Sequence, residues 1–150
     1  MLCIRSVSRP LVPLVLLMAL TGCSVLQPDR HLAAFTTQLS GTNEAPPVNT
    51  MASGRIDAVL NKTTGLFRWK MTFSGLSGPA TAAHFHGPAD IGQSAPPSLQ
   101  IPTPFKNDSE GQGTLTPAQA ADLVAGRWYA NVHTAAHPGG EIRGQMTLVD

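Results

Sequence analysis

Apolar and polar residues alternate with a period of two through much of residues 34–86. Phe35, Thr37 and Leu39 alternate with Ala34, Thr36 and Gln38, and Ile56, Ala58 and Leu60 share one face of a second segment. Phe67, Trp69, Met71 and Phe73 alternate with Arg68, Lys70 and Thr72. Successive side chains of a strand point to opposite faces, so this pattern predicts half-buried strands near 34–41, 54–60, 67–73 and 80–86. Asn61-Lys-Thr-Thr-Gly65 reads as the turn of a hairpin between the second and third strands. Residues 98–101 form an edge strand at best, because Pro102 and Pro104 follow and proline cannot donate to a ladder. One helix is predicted over 117–125. Thr116 is its N-cap, Pro117 its first residue, Gln119 the other half of a capping box and Gly126 its stop. Two final strands, 127–134 and 141–149, are joined by the turn His137-Pro-Gly-Gly140. Seven or eight short strands and one short helix predict an all-β fold, an antiparallel Greek-key sandwich or barrel.

The amino terminus departs from this pattern. Arg5 and Arg9 precede an apolar stretch from Leu11 to Leu20, too short to span a bilayer comfortably, which takes about 20 residues. Leu20-Thr21-Gly22-Cys23 resembles the bacterial lipobox, in which cleavage precedes a cysteine that then receives lipid. Residues 1–22 are therefore expected to be a lipoprotein signal peptide, 23–33 a lipid-anchored tether and 34–150 a single β-domain, a size usual for domains of about 100–150 residues. Ser24, which is not aspartate, is compatible with transport to the outer membrane, facing the periplasm. The only cysteines are Cys3 and Cys23, so the folded part has neither a disulfide nor a thiolate ligand. The 150-residue chain carries 10 Lys and Arg against 9 Asp and Glu, a balance that gives no basic stripe for nucleic acid.

Four of the five histidines fall in two short segments. His84 and His86 flank Phe85 in a strand and share a face; Tyr129, Asn131 and His133 share a face opposite Trp128, Ala130 and Val132. If the apolar sets face the core, all three histidines project from the outer side of the sheet. On adjacent strands they would converge, and His137 in the next turn could add a fourth nitrogen. Neutral imidazole is the commonest metal ligand, and an all-nitrogen set suits copper, with zinc second. The bland alternative is that these histidines are half-buried strand residues bonded to the Gly/Pro loop. His31, beside the tether, is expected to be solvated.

Four segments together resemble the CHRD domain, named from chordin, an extracellular animal protein, and found also in bacterial secreted proteins. They are Leu39-Ser-Gly-Thr-Asn-Glu-Ala-Pro-Pro-Val48, Gly75 to Ala89 with His84-Phe-His86 inside it, Tyr129-Ala-Asn-Val-His-Thr134 and Gly140-Glu-Ile-Arg-Gly-Gln145. The resemblance implies an extracellular all-β module over about 35–148 and leaves the activity open. A second similarity is to Cu/Zn superoxide dismutase, in Gly75-Leu76, His84-x-His86, Val132-His133 and Arg143. It implies copper ligands at His84, His86 and His133 and compares Arg143 with a substrate-guiding arginine. The departures are the lack of a disulfide pair, of a His/His/Asp zinc subsite and of a bridging histidine.

The expected function is copper binding on a lipid-anchored envelope protein, for storage, buffering or transfer. The expected partners are a metal ion, the membrane through the N-terminal lipid, and a second envelope protein. The alternatives are a metal-free interaction module and a copper-only dismutase-like oxidoreductase. Glu44 and Glu141 are too far apart in sequence to argue a carboxylate pair, and Glu141 beside Arg143 reads as a surface contact. The Pro/Gly loops at 41–50 and 87–97 are expected to shape the ends of the fold and not to bind.

Overall fold

The computed structural model describes residues 30–102 and 107–149. The leader, Cys23 and the tether before Arg30 lie outside the described residues. Nine strands are present: β1 (Leu32–Ser40), β2 (Ser53–Asn61), β3 (Leu66–Ser74), β4 (Ala80–His86), β5 (Pro97–Gln100), β6 (Ser109–Thr114), β7 (Tyr129–Thr134), β8 (Ile142–Gln145) and β9 (Thr147–Leu148). A 3-10 turn covers Gly41–Asn43 and the helix α1 covers Pro117–Val124. β1 begins at Leu32, so the last two residues assigned to the tether are already paired in the sheet, Leu32 with Asn61 and Ala33 with Leu60.

All strand pairs are antiparallel, in the order β5-β4-β7-β8-β1-β2-β3-β6, with β9 added beside β1. The sheet curls into a nearly closed barrel. Its two edges meet through side chains, since Leu99 of β5 packs over the bare Cα of Gly113 in β6. Alternation holds where it is clearest: Ile56, Ala58 and Leu60 are buried in β2, and Phe67, Trp69 and Met71 in β3. Phe85 meets Phe67 and Trp69 edge-on, each at 5.2 Å between ring centroids, and Trp128 joins this cluster. Edge-on contacts of this kind add about 1 kcal/mol to the burial itself.

The turns follow their residues. Asn61 Oδ1 accepts from the backbone N–H groups of Thr63 and Thr64, and Gly65 takes the left-handed φ of 73° that closes the hairpin. Thr116 and Gln119 form the reciprocal capping box at the start of α1. Two elements differ from the sequence reading. β6 has no large apolar residue, and it forms because β3 supplies its pairing partner, with Gly111 leaving room for the Trp69 indole. The final strand breaks in two at Met146, which is buried while its N–H donates to Trp128 O. This break lets β8 pair with β7 and β9 with β1.

Candidate metal centre

β4 and β7 lie side by side with Ala82 opposite His133, His84 opposite Asn131 and His86 opposite Tyr129. Their other faces carry Ala83, Phe85, Ala130 and Val132, all buried in the core. Strand parity therefore puts the three imidazoles on the outer face of the barrel, as the alternation of Phe85 and Val132 with the histidines requires. One ring nitrogen from each of His84, His86 and His133 lies within 4.8 Å of the others. This triad could hold a metal ion.

The outer face is not open to solvent. Every residue of β7 is buried, and His86 and His133 retain only 6% and 9% of their exposure. The loop between β4 and β5 closes over the site, with Ala95 O 2.8 Å from His86 Nδ1. The turn after β7 does the same for His133, whose Nδ1 lies 2.9 Å from Pro138 O. The first of these, the 87–97 loop, was expected only to shape the end of the fold; its backbone carbonyl instead orients a ring of the triad. A carbonyl can only accept, so in a neutral His133 ring Nδ1 carries the proton and the Nε2 lone pair points toward His84. His84 Nδ1 lies 3.1 Å from His133 Nε2 and must be the donor in that bond. To ligate through Nδ1, His84 has only to move its proton to Nε2.

Asn131 and Tyr129 complete the face. Asn131 places its amide oxygen 2.9 Å from His86 Nε2. Both ring nitrogens of His86 thus face an oxygen, Nδ1 that of Ala95 and Nε2 that of Asn131. The Tyr129 ring stacks on His86 at 4.6 Å, within 2° of parallel, and its hydroxyl meets the backbone of Ala95. Arg143 crosses the Tyr129 ring at 3.4 Å and donates to Gln93 O. Because β7 runs between β4 and β8, the Tyr129 ring separates the guanidinium from His86.

Electrostatics favour the neutral ring at His84 and at His133. Burial lowers the pKa of His84, and the neighbouring His133 and His86 lower it further. Burial also lowers that of His133, although its bond to Pro138 opposes the shift. His84 remains the accessible member, bordering a surface cavity of about 430 Å3 together with Thr81 and Gln100. His137 is not part of the triad; its side chain borders a separate cavity beside Glu44 and Pro138. His31 is exposed, with Nδ1 2.9 Å from Thr63 Oγ1.

The geometry has now placed the residues that mark the family. The CHRD domain family matches residues 35–146. The chain belongs to the CHRD family. No curated protein and no solved structure matches it. Within this CHRD domain the Gly75-to-Ala89 and Tyr129-to-Thr134 segments are the paired strands β4 and β7 with their flanking loops. The other two segments meet at Glu44 and Gly140, where the glycine leaves room for the carboxylate.

Glu141, expected as a surface contact beside Arg143, is instead fully buried. Its carboxylate accepts from Thr50 Oγ1, Ser77 N, Ser77 Oγ and Thr134 Oγ1 at 2.6–2.9 Å. Burial pushes its pKa up, but these bonds to Ser77, Thr134 and Thr50 outweigh it and hold the group down at about 2. Thr134 lies just across the turn, but Thr50 and Ser77 are distant in sequence, so no local pattern could have shown the cluster.

Proposed function

We propose that this CHRD domain binds copper through His84, His86 and His133, on a lipid-anchored protein of the bacterial envelope, and serves in copper storage, buffering or transfer. The observation that carries the reading is the convergence of three imidazole nitrogens within 4.8 Å, with two of the rings oriented by backbone carbonyls. Such outer hydrogen bonds fix the tautomer and aim of metal-binding histidines. The group contains no thiolate and no carboxylate, and an all-imidazole set favours Cu(II) over harder cations. Binding rather than catalysis is the better-supported role, since Tyr129 stands between Arg143 and the triad.

The test is titration of the purified protein with Cu(II), Cu(I) and Zn(II) against a competing chelator. Stoichiometric copper binding is expected, falling at least tenfold in His84→Ala, His86→Ala and His133→Ala, and little changed in His31→Ala and His137→Ala. Equal binding by the wild type and the triple variant would leave the metal-free interaction module as the reading. The envelope location rests on Leu20-Thr21-Gly22-Cys23 behind its basic and apolar leader. Intact mass of membrane-extracted protein is expected to show an acylated chain starting at Cys23; an unmodified product cleaved elsewhere would refute the anchor.

A further inference from the structure

Leu32, Val59, Leu148 and Val149 are four of the seven large apolar side chains exposed among the described residues, and all four lie on β1, β2 and the end of β9. Strand register makes them neighbours. Ala34 of β1 faces Val59 of β2 on one side, and on the other its carbonyl accepts from the N–H of Val149. Leu32 is two residues from Ala34 and shares its outer face, while Ala33, Phe35, Ala58 and Leu60 turn into the core. The rim of this patch is basic. Arg68 of β3 stands opposite Val59, and Lys62, whose N–H donates to His31 O, sits beside the chain as it enters β1 from Arg30. Asp57, on the same face of β2, is ion-paired with Arg55, and Asp150 lies outside the described residues. An exposed apolar patch rimmed by charge marks an interaction surface.

We infer that this face rests on the membrane that holds the Cys23 lipid, with Leu32, Val59 and Val149 in the headgroup layer and Arg30, Lys62 and Arg68 on anionic phosphates. Docking in this way rests on the lipid anchor proposed above. Cys23 is seven residues before Arg30, so even a fully extended chain keeps the lipid within about 25 Å of the start of β1. The tether makes membrane contact intramolecular, and a patch too small to hold the protein from solution then docks at high effective concentration. Basic side chains at an anionic surface add attraction over roughly a Debye length, about 8 Å at physiological salt. A second copy fits the patch less well, because symmetric pairing would set Lys62 and Arg68 of one copy against those of the other. Three strands separate β2 from β4 in either direction round the nearly closed barrel. Docking through β1 and β2 therefore turns the His84 face away from the bilayer, toward soluble donors and acceptors of metal.

The experiment uses protein expressed from its full sequence, extracted from membranes, checked for acylation by intact mass and kept metal-free. It is reconstituted in vesicles of phosphatidylethanolamine with phosphatidylglycerol, and in vesicles of phosphatidylcholine alone. With Cys3 removed in the leader and Cys23 blocked by lipid, Val59→Cys and Thr81→Cys each take a single nitroxide label; Thr81 is exposed on β4, across the barrel. Collisions with oxygen, which concentrates in lipid, are compared with collisions with a water-soluble paramagnetic chelate. In the anionic vesicles this ratio is expected to be at least threefold higher for the Val59 label than for the Thr81 label. The contrast is expected to fall by half or more in phosphatidylcholine, and likewise when Lys62→Glu and Arg68→Glu, both at exposed positions, are combined. Equal ratios for the two labels, or a contrast untouched by the charge reversals, would overturn the docking while leaving the anchor in place. Dipolar broadening between Val59 labels without lipid contact would give the patch to a second copy and overturn it too. A chain without acyl mass would refute the anchor, and the docking with it.

Discussion

His133 and Glu141 sit on either side of the same turn and show how differently burial acts on a base and an acid. Around His133 no charged partner compensates for desolvation, so the ring is held neutral. Its folded pKa lies below the ordinary value of 6.5, as does that of His84. The unfolded chain therefore binds more protons, and stability from these rings falls as pH drops below about 6.5. Glu141 has four donors, and its pKa falls from 4.5 to about 2. Its contribution is fully present above about 4.5 and is lost as pH falls through about 2. Glu141→Ala strips the shared acceptor from Thr50, Ser77 and Thr134, and is expected to cost on the order of 3 kcal/mol, as removal of a buried charged hydrogen-bonding partner does. Urea unfolding at neutral pH checks this, and a loss under 1 kcal/mol would contradict it.

At the scale of strands and loops, the site depends on how tightly β7 and β8 pack under their cover. Gly144 of β8 faces β1, where an added Cβ would run into Thr37 Oγ1 and Gln38 O. Gly144→Ala is expected to destabilise by about 2 kcal/mol, the usual cost of forcing one methyl into a filled space. Thermal unfolding measures it; an unchanged midpoint would show that β1 and β8 can part. The parity that unites His84, His86 and His133 was legible in the sequence because Phe85, Ala130 and Val132 alternate with them. The helix was legible from Thr116, Pro117 and Gln119. β6 was not, because Ser109-Glu-Gly-Gln-Gly-Thr114 owes its strand to pairing with β3 and carries no apolar signal of its own. Nor were the carbonyls of Ala95 and Pro138, since a backbone group orients a side chain only once the loop has folded over it.

For the molecule as a whole, the barrel separates its tasks by face. The interior aromatic cluster around Phe85 supplies stability, while the outer face of the same strand supplies the imidazoles. Glu44, which nothing in its sequence neighbourhood marks as buried, becomes so where its carboxyl packs against Gly140, distant in sequence. No helix among the described residues is long and apolar enough to cross a membrane, and the membrane attachment proposed above is through Cys23. The proposed copper site joins three histidines from two adjacent strands. Electron paramagnetic resonance of the protein loaded with one equivalent of Cu(II) tests it most directly. A single tetragonal signal with coupling to three imidazole nitrogens is expected, replaced by a different or weaker signal in His133→Ala. A spectrum of weakly bound copper, unchanged when His84, His86 and His133 are all replaced, would contradict it.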